Sequence, residues 1–217
     1  MASNIIDPTR RQALGLAAGA AAGLIAPRAF ADETPLRDLA KAKGLYFGSA
    51  VPAGPPGATR GPFEDARYKA ILARECGVLV PENELKWYVV RLAGPEAFDF
   101  SRADRIAAFA KENGQALRGH TLLWHHPQWF PAWTKTYDFG AQPAQAAAKM
   151  VTEHIQALCA RYPQMISWDV VNETVDPKDG SIRSTFLSDA MGKEEVLDLS
   201  FHVARQAAPK ARLVYND

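Results

Sequence analysis

Apolar residues occur along this chain in two spacings, which predict strands alternating with helices. Continuous apolar runs of strand length fall at 44–50, 78–80, 116–124, 165–171 and 212–215. Between them, apolar side chains recur every three or four positions, as on one face of an amphipathic helix. These segments predict helices at 65–76, from Ser101 to a stop at Gly114, at 143–162 and at 194–208.

Such alternation is typical of an α/β fold, in which crossover helices cover a parallel sheet. A doubly wound sheet and a (β/α)8 TIM barrel both fit it. No G-x-G-x-x-G follows the first strand, so a dinucleotide-binding fold has no support. Polar residues follow the second, third and fourth strands, which favours the barrel. Because a barrel needs eight strands and about 250 residues, we expect one that is truncated here after about five strands.

The N-terminal residues follow a different pattern from the rest. Arg10 and Arg11 precede an apolar stretch rich in small residues, 13–26, and Ala29-Phe30-Ala31 has the A-x-A form of a cleavage site. The stretch is too short to span a bilayer comfortably. We therefore expect residues 1–31 to be a signal peptide of the twin-arginine type and residues 32–217 to form the barrel portion. The mature protein is then exported, to the periplasm or the extracellular space, and keeps no membrane segment.

Composition limits the partners that this chain can have. Of the 217 residues, 47% are hydrophobic and 23% are charged, as in soluble globular proteins. Residues 1–31 carry three arginines and one aspartate, so their removal changes the net charge from +1 to −1. A near-neutral surface offers no basic field for nucleic acid and suits an uncharged substrate.

The two cysteines, Cys76 and Cys159, lie among apolar residues of predicted helices. That setting favours buried free thiols, although a single disulfide stays open because exported proteins meet oxidising conditions. No C-x-x-C pair or Cys/His cluster suggests zinc. An extended segment from His120 to His126 would hold these two rings about 20 Å apart. We therefore expect neither a metal site nor a cofactor.

Three clusters of polar and aromatic residues lie where the strand ends would converge. They are E-N-E-L-K-W at 82–87, R-G-H-T-L-L-W-H-H at 118–126 and W-D-V-V-N-E at 168–173. Indoles offer flat apolar faces for sugar rings, and amides and charged groups can bind hydroxyls. Glycoside hydrolysis uses two carboxyl groups with separately tuned proton affinities. The clusters contain all of these groups and no phosphate-binding loop.

In this order and spacing the three motifs resemble glycoside hydrolase family 10, the endo-β-1,4-xylanases. Leu213-Val214-Tyr215-Asn216-Asp217 also resembles that family's fifth strand. The resemblance runs from about Leu45 to the end of the sequence. It implies a retaining endo-β-1,4-xylanase that acts on xylan or xylo-oligosaccharides without a cofactor, and we expect a monomer.

The resemblance implies that the third cluster carries the proton chemistry. Glu173 corresponds to the general acid/base, which protonates the leaving oxygen and then activates water. Asn172 corresponds to the residue that binds the 2-hydroxyl of the sugar at the cleavage point. The nucleophilic glutamate of a retaining mechanism is expected on a later strand, in a part that this sequence lacks. The 217 residues alone are therefore expected to be inactive.

The other two clusters are implied to bind substrate. Glu82, Asn83 and Lys86 correspond to the set that binds sugars on the non-reducing side. His120 and Trp124 correspond to residues beside the scissile bond. A simpler interpretation of Glu82 and Lys86 is an exposed ion pair at a strand end.

One departure from the family pattern leaves the substrate open. After Trp124-His125 the family usually has Ser or Asn and then Gln, whereas this chain has His126-Pro127, with Gln128 one place late. A β-glucan therefore remains an alternative substrate. A second alternative is an inactive barrel fragment that binds xylan weakly at most, since an incomplete sheet exposes its edge.

Three further residues have simpler interpretations. Trp129 and Trp133 are expected to pack in the core. Asp169 is expected to support the end of its strand, because an acid four residues before Glu173 on one strand would lie about 13 Å from it.

Overall fold

The described part of the chain, residues 33–217 of a computed structural model, is built around one sheet of five parallel strands. The predicted signal peptide, residues 1–31, lies outside the described residues. Pro35–Asp217 form one compact unit. The strands are β1 (Gly48–Val51), β2 (Val78–Pro81), β3 (Ala116–Trp124), β4 (Met165–Asn172) and β5 (Arg212–Asn216).

Helices of very different lengths precede or connect these strands. Within residues 33–217 the α-helices are α1 (Leu36–Lys41), α2 (Ala66–Glu75), α3 (Trp87–Val90), α4 (Ser101–Glu112), α5 (Pro143–Arg161), α6 (Phe186–Met191) and α7 (Lys193–Ala207). Short 3-10 helices lie at Pro62–Glu64, Pro127–Trp129 and Ala132–Thr136.

The strands follow one another in the sheet in chain order, β1-β2-β3-β4-β5. Each neighbouring pair is parallel. A doubly wound sheet would instead reverse its strand order at a switch point. The consecutive order therefore confirms the predicted α/β barrel architecture, of which the described residues supply five strands.

The fourth strand, β4, is buried along almost its whole length. Seven of its eight residues are buried, as expected for a parallel strand that is covered on both sides. Its Trp168 packs closely on β3 at Gly119, where a side-chain β-carbon would lie 2.0 Å from the indole ring. On the helical layer, α5 buries Val151, Ile155 and Leu158. Each such aliphatic side chain contributes about 1.5–3 kcal/mol when fully buried.

Side-chain caps fix where two of the helices begin. Asp65 accepts hydrogen bonds from the backbone amides of Arg67 (2.7 Å) and Tyr68 (3.4 Å) at the start of α2. Thr185 and Ser188 form a reciprocal capping box at the start of α6. Each cap stabilises its helix by about 1 kcal/mol.

The first strand differs from its prediction, since β1 begins at Gly48 rather than residue 44. Gly44 is in a left-handed turn with φ 68°, which only glycine adopts at little cost. Leu45, Tyr46 and Phe47 are exposed, with Leu45 at 63%. An apolar run was therefore mistaken for a buried strand. The ladder between β1 and β2 begins only at the pair Gly48 and Val78.

Candidate active site

The polar clusters of the sequence meet at one edge of the sheet, the carboxyl ends of the strands. Lys86 follows β2, Trp124 is the last residue of β3, and Asn172 is the last residue of β4, with Glu173 next. Parallel strands place their carboxyl ends together, and this is the edge at which α/β barrels carry their chemistry.

Lys86 and Asn83 form a polar pair that rests on an indole. Lys86 is only 8% exposed, and its Nζ donates to Asn83 Oδ1 at 3.2 Å. The same ammonium lies 4.0 Å from the centre of the Trp124 ring, a cation–π contact. The hydroxyl of Tyr88 donates to Asn83 Oδ1 at 2.7 Å. Asn83 is therefore held from two sides, and its amide group has a fixed direction.

Carboxylates on two different strand ends act on the Lys86 ammonium. Burial lowers the pKa of Lys86, and the negative charges of Glu173, Glu82 and Glu84 oppose that shift. Within the described residues Lys86 bonds Asn83 rather than pairing with Glu82, which is exposed. The simple surface ion pair is therefore wrong. Lys86 instead links the β2 end of the site electrostatically to Glu173.

Glu84, which the sequence reasoning passed over, orders two loops of the site. It is 3% exposed and accepts hydrogen bonds from the amides of Ala53 (2.8 Å) and Asn83 (2.9 Å). It thereby ties the loop after β1 to the loop after β2. The second acid of the E-N-E motif was the available signal, but its partner lies 31 residues away.

Asn172 is buried with its carboxamide oxygen already used. Its Oδ1 accepts from Asn216 Nδ2 at 2.6 Å, and its backbone oxygen accepts from the His125 amide at 3.0 Å. Because the side-chain oxygen has a partner, the NH₂ group is the part of Asn172 suited to donate to a ligand.

Glu173 directly follows β4 and has an unusual backbone. Its φ of 51° makes it the one non-glycine residue with positive φ within residues 33–217. Such a conformation costs about 1–3 kcal/mol and is typical of functional sites. The Glu173 amide donates to Asn216 O at 2.9 Å, which extends the pairing of β4 with β5 by one residue.

Asp169 supports its neighbours on β3, as expected from the sequence. Its buried carboxylate accepts from Arg118 Nη2 at 2.5 Å and lies 2.9 Å from His120 Nδ1. The hydroxyl of Thr121 donates to the Asp169 backbone oxygen at 2.7 Å. Asp169 thus fixes the ring of His120, so that Nε2 is the nitrogen left to face a ligand. The β3–β4 register shifts between His120 and Leu123, an irregularity of the kind that re-aims side chains near active sites.

A stacked and partly exposed pair of indoles lies at and just after the end of β3. Trp129 stacks on Trp124 with ring centres 5.3 Å apart and planes at 15°, and it is 41% exposed. The predicted core position of Trp129 is therefore wrong. Its exposed run, Pro127–Trp129, is a 3-10 helix that directs it toward Trp124. Trp133 does pack against the core, and its Nε1 donates to Arg91 O at 2.7 Å.

The paired histidines after β3 lie in different surroundings. His125 is buried, its Nε2 lies 3.0 Å from Arg183 O, and burial lowers its pKa. His126 Nδ1 accepts from the Gln128 amide at 3.2 Å. Burial and the positive charge of Arg183 lower the pKa of His126, while Glu173 opposes the shift. His126 therefore stands beside the acid of this site, where the family pattern usually has a Ser or Asn.

The remaining predictions concern metals, thiols and membranes. In the described part of the chain no group of three His, Cys, Asp or Glu side chains could hold a metal ion. Cys76 and Cys159 are both buried and unpaired, so the predicted disulfide alternative is wrong. Burial raises the pKa of the Cys159 thiol to about 12. Among residues 33–217 no helix is long and apolar enough to cross a membrane.

The fold and the site define a class, an α/β barrel with carboxyl, amide, ammonium and indole groups at the carboxyl ends of its strands. The family model for glycosyl hydrolase family 10 matches residues 35–217. The chain therefore belongs to glycosyl hydrolase family 10. This confirms the resemblance seen in the three sequence motifs.

Curated relatives and solved structures agree with this assignment. Endo-1,4-beta-xylanase 3 of Hypocrea jecorina (strain QM6a) is 35% identical over 181 residues, covering 82% of this chain and 48% of that protein. Endo-1,4-beta-xylanase 1 of Humicola insolens is 37% identical over 186 residues, covering 84% of this chain and 40% of that protein. The chain thus spans about half or less of the length of these relatives.

Two solved xylanases have the same fold over most of the chain. Native xylanase 10B of Thermotoga maritima aligns with a TM-score of 0.73 at 28% identity, covering 84% of this chain and 53% of that one. Xylanase 10B of Thermotoga petrophila RKU-1 in complex with xylobiose aligns with a TM-score of 0.74 at 27% identity, covering 86% and 54%. These matches place the five strands in the family's (β/α)8 barrel.

Proposed function

We propose that the complete protein is a retaining endo-β-1,4-xylanase that cleaves internal bonds of xylan. The observation that carries the proposal is the convergence of Glu173, Asn172, Lys86 and Trp124 at the carboxyl edge of a family 10 barrel sheet. The relatives named above are xylanases, and one of the solved structures holds xylobiose. Both facts support xylan as the substrate.

In the first step of the proposed reaction, a carboxylate oxygen attacks the anomeric carbon while the glycosidic C–O bond breaks. Glu173, as the carboxylic acid, gives its proton to the leaving oxygen. We propose that the attacking carboxylate belongs to a later strand of the barrel, about 5–5.5 Å from Glu173, as retaining enzymes require. In the second step Glu173 takes a proton from water, whose oxygen attacks the same carbon and releases the carboxylate.

The remaining side chains are proposed to bind the sugar units. The NH₂ group of Asn172 would donate to the 2-hydroxyl of the sugar at the cleavage point. Lys86, Asn83 and Glu82 would bind hydroxyls on the non-reducing side, with Asn83 pre-oriented by Lys86 and Tyr88. Orienting such groups before the substrate arrives reduces the entropy lost on binding.

His120 and Trp124 are proposed to line the position next to the scissile bond. The carboxylate of Asp169 fixes the His120 ring. The indole of Trp124 contacts the Lys86 ammonium, and the exposed indole of Trp129 stacks on it. An indole face packs well on the apolar face of a sugar ring.

We also propose that residues 1–31 are a twin-arginine signal peptide and that the mature protein acts as a monomer in the periplasm or outside the cell. The basic pair, the apolar stretch and the A-x-A site support the first part. N-terminal sequencing of the exported protein should give Asp32 as the first residue. A start at Met1 would refute the signal peptide. Gel filtration should give one chain per particle.

The test of the function is hydrolysis of xylan and of β-glucan in parallel by the complete gene product. We expect xylo-oligosaccharides from xylan, with the β-anomer formed first in proton NMR spectra because the mechanism retains configuration. Hydrolysis of β-glucan alone would change the substrate but keep the reaction. Release of sugar from neither polymer would refute the proposed function.

A further inference from the structure

The direction of the Glu173 side chain depends on a backbone conformation that its own residue type disfavours. Its φ of 51° lies in the left-handed region, which a residue with a β-carbon enters only when its surroundings enforce it. Relaxation of φ to the usual negative range would swing the carboxyl group away from its present place. The groups that bond the peptide units on either side of Glu173 therefore decide where its acid points.

Arg183 bonds the peptide on the carboxyl side of Glu173. Its Nε donates to Glu173 O at 3.1 Å, and its backbone amide donates to Thr174 O at 2.8 Å. Arg183 is itself held, because His125 Nε2 lies 3.0 Å from its carbonyl oxygen and its Nη1 lies 3.6 Å from Asp176 Oδ2. The guanidinium is thus a fixed donor with little freedom to follow a moving backbone.

Asp217 bonds the next two amides from the opposite side, the end of β5. Its Oδ2 accepts from the amides of Thr174 and Val175, both at 3.1 Å, and from the Thr174 hydroxyl at 3.0 Å. The hydroxyl of Tyr215 donates to the same oxygen at 3.0 Å and also contacts the Thr174 hydroxyl. Although partial burial opposes ionisation, these hydrogen bonds lower the pKa of Asp217 overall. It is therefore a carboxylate at neutral pH, the stronger form of acceptor.

We infer that Arg183 and Asp217 are positioning residues for Glu173 and hold the peptide unit that follows it, Arg183 at the carbonyl oxygen and Asp217 at the amide. The inference rests on the proposed function, in which Glu173 gives its proton to the leaving oxygen. Neither residue bonds the Glu173 carboxyl group in the structure, so each acts through the backbone. Their loss should impair proton transfer more than substrate binding.

Proton transfer can be separated from structural damage by the leaving group of the substrate. Cleavage of xylohexaose expels a sugar hydroxyl, which needs the proton from Glu173. Cleavage of 2,4-dinitrophenyl β-xylobioside expels a stable dinitrophenolate, which leaves without a proton. For this dinitrophenyl substrate, kcat/KM reports only the first step, in which the bond to the leaving group is cleaved. A misplaced acid therefore lowers kcat/KM for the first substrate and spares the second.

The experiment compares Asp217→Ala and Arg183→Ala with the wild type of the complete gene product on both substrates. We expect kcat/KM for xylohexaose to fall about tenfold or more in each variant. We expect kcat/KM for the dinitrophenyl substrate to change less than about threefold. Asp217→Asn, which keeps an oxygen acceptor, should recover most of the lost activity. Asp179→Ala is the matched control, since Asp179 lies in the same loop as Arg183 and its carboxylate accepts from Ser181 rather than from the peptide that follows Glu173.

Each outcome bears on the inference in a defined way. Equal losses on both substrates, or no loss on either, would overturn the positioning role while leaving the xylanase assignment intact. Should Asp217→Ala fail to fold, Arg183→Ala still has to show the leaving-group pattern, and Asp217→Asn still has to cleave both substrates at close to the wild-type rate, for the inference to stand. A wild type that cleaves neither substrate would refute the proposed function and the inference with it.

Discussion

Acid should destabilise this fold through one buried side chain, the imidazole of His154 on α5. The His154 ring is fully buried and stacks on Trp87 with centres 4.2 Å apart and on Phe98 at 6.1 Å. The guanidinium of Arg91 packs on the same two rings, at 4.9 and 4.8 Å from their centres. Burial first, and the positive charge of Arg91 second, lower the pKa of His154 well below its ordinary value of 6.5.

The size of the effect follows from proton linkage. The unfolded chain binds a proton at this position below about pH 6.5, whereas the folded protein keeps the ring neutral. The unfolded state then binds more protons, so the contribution of His154 to stability is complete above pH 6.5 and is lost as the pH falls toward the lowered folded pKa. One proton corresponds to about 1.4 kcal/mol per pH unit. While the folded ring stays neutral, each pH unit below about 6.5 therefore removes up to about 1.4 kcal/mol of stability, a sizeable share of a typical total of about 5–15 kcal/mol.

Urea unfolding of the complete gene product, followed by circular dichroism from pH 7.5 to 4.5, measures this effect. His154→Phe keeps an aromatic ring for stacking but cannot take a proton. Carboxylates titrate in the same range in both proteins, so the difference between the two curves isolates His154. The wild type should lose stability relative to His154→Phe as the pH falls. His202→Gln, which removes an exposed histidine, is the matched control and is measured over the same pH range. Parallel curves for wild type and His154→Phe would refute the reasoning.

Three further predictions follow from the structure. Gly119→Ala should lower the midpoint of thermal unfolding by the equivalent of about 1–3 kcal/mol or more, because the new β-carbon would lie 2.0 Å from the Trp168 ring. Gly94→Ala is the control, since there is open space around Gly94, and it should leave the midpoint unchanged. Equal midpoints for the two variants would refute the close packing at Gly119. Lys86→Met should raise KM for xylo-oligosaccharides about tenfold, because it removes the charged group that we propose as a donor to sugar hydroxyls. An unchanged KM would contradict that proposed role. Burial raises the pKa of Cys159 to about 12, so its thiol should resist iodoacetamide at pH 8 in the native protein and react in urea. Mass spectrometry measures the labelling. Labelling of Cys159 in the native protein would contradict the burial of this thiol.

The sequence was most informative where burial or periodicity is strong. Strands β2 to β5 and helices α2, α4, α5 and α7 begin and end within about one residue of their predicted bounds. Helices α1, α3 and α6 have only four to six residues each, too few for a helical period to emerge. Helices this short depend on tertiary contacts, and in α6 also on the capping box, rather than on propensity.

Motif residues at strand ends could be predicted because barrel topology brings such ends together whatever the loops do. Glu84 and Arg183 were not predicted, since each acts through a partner that lies 10 or more residues away in sequence. Asp217 was noted only as part of a strand resemblance, and its partner Thr174 lies 43 positions away. The sequence predicts a core position for Trp129 because core packing is the ordinary explanation for a tryptophan side chain. Its 3-10 helix instead presents it to solvent beside Trp124.

The most direct test of the account is the turnover of xylohexaose by Glu173→Gln in the complete gene product, with binding measured by calorimetry on the same sample. Loss of the acid should lower kcat by about 10²–10⁴-fold, because general acid catalysis contributes that much. The affinity for xylohexaose should stay within about threefold of wild type, since the amide keeps the shape of the carboxyl group. Wild-type turnover in Glu173→Gln would contradict the assignment of Glu173 as the proton donor.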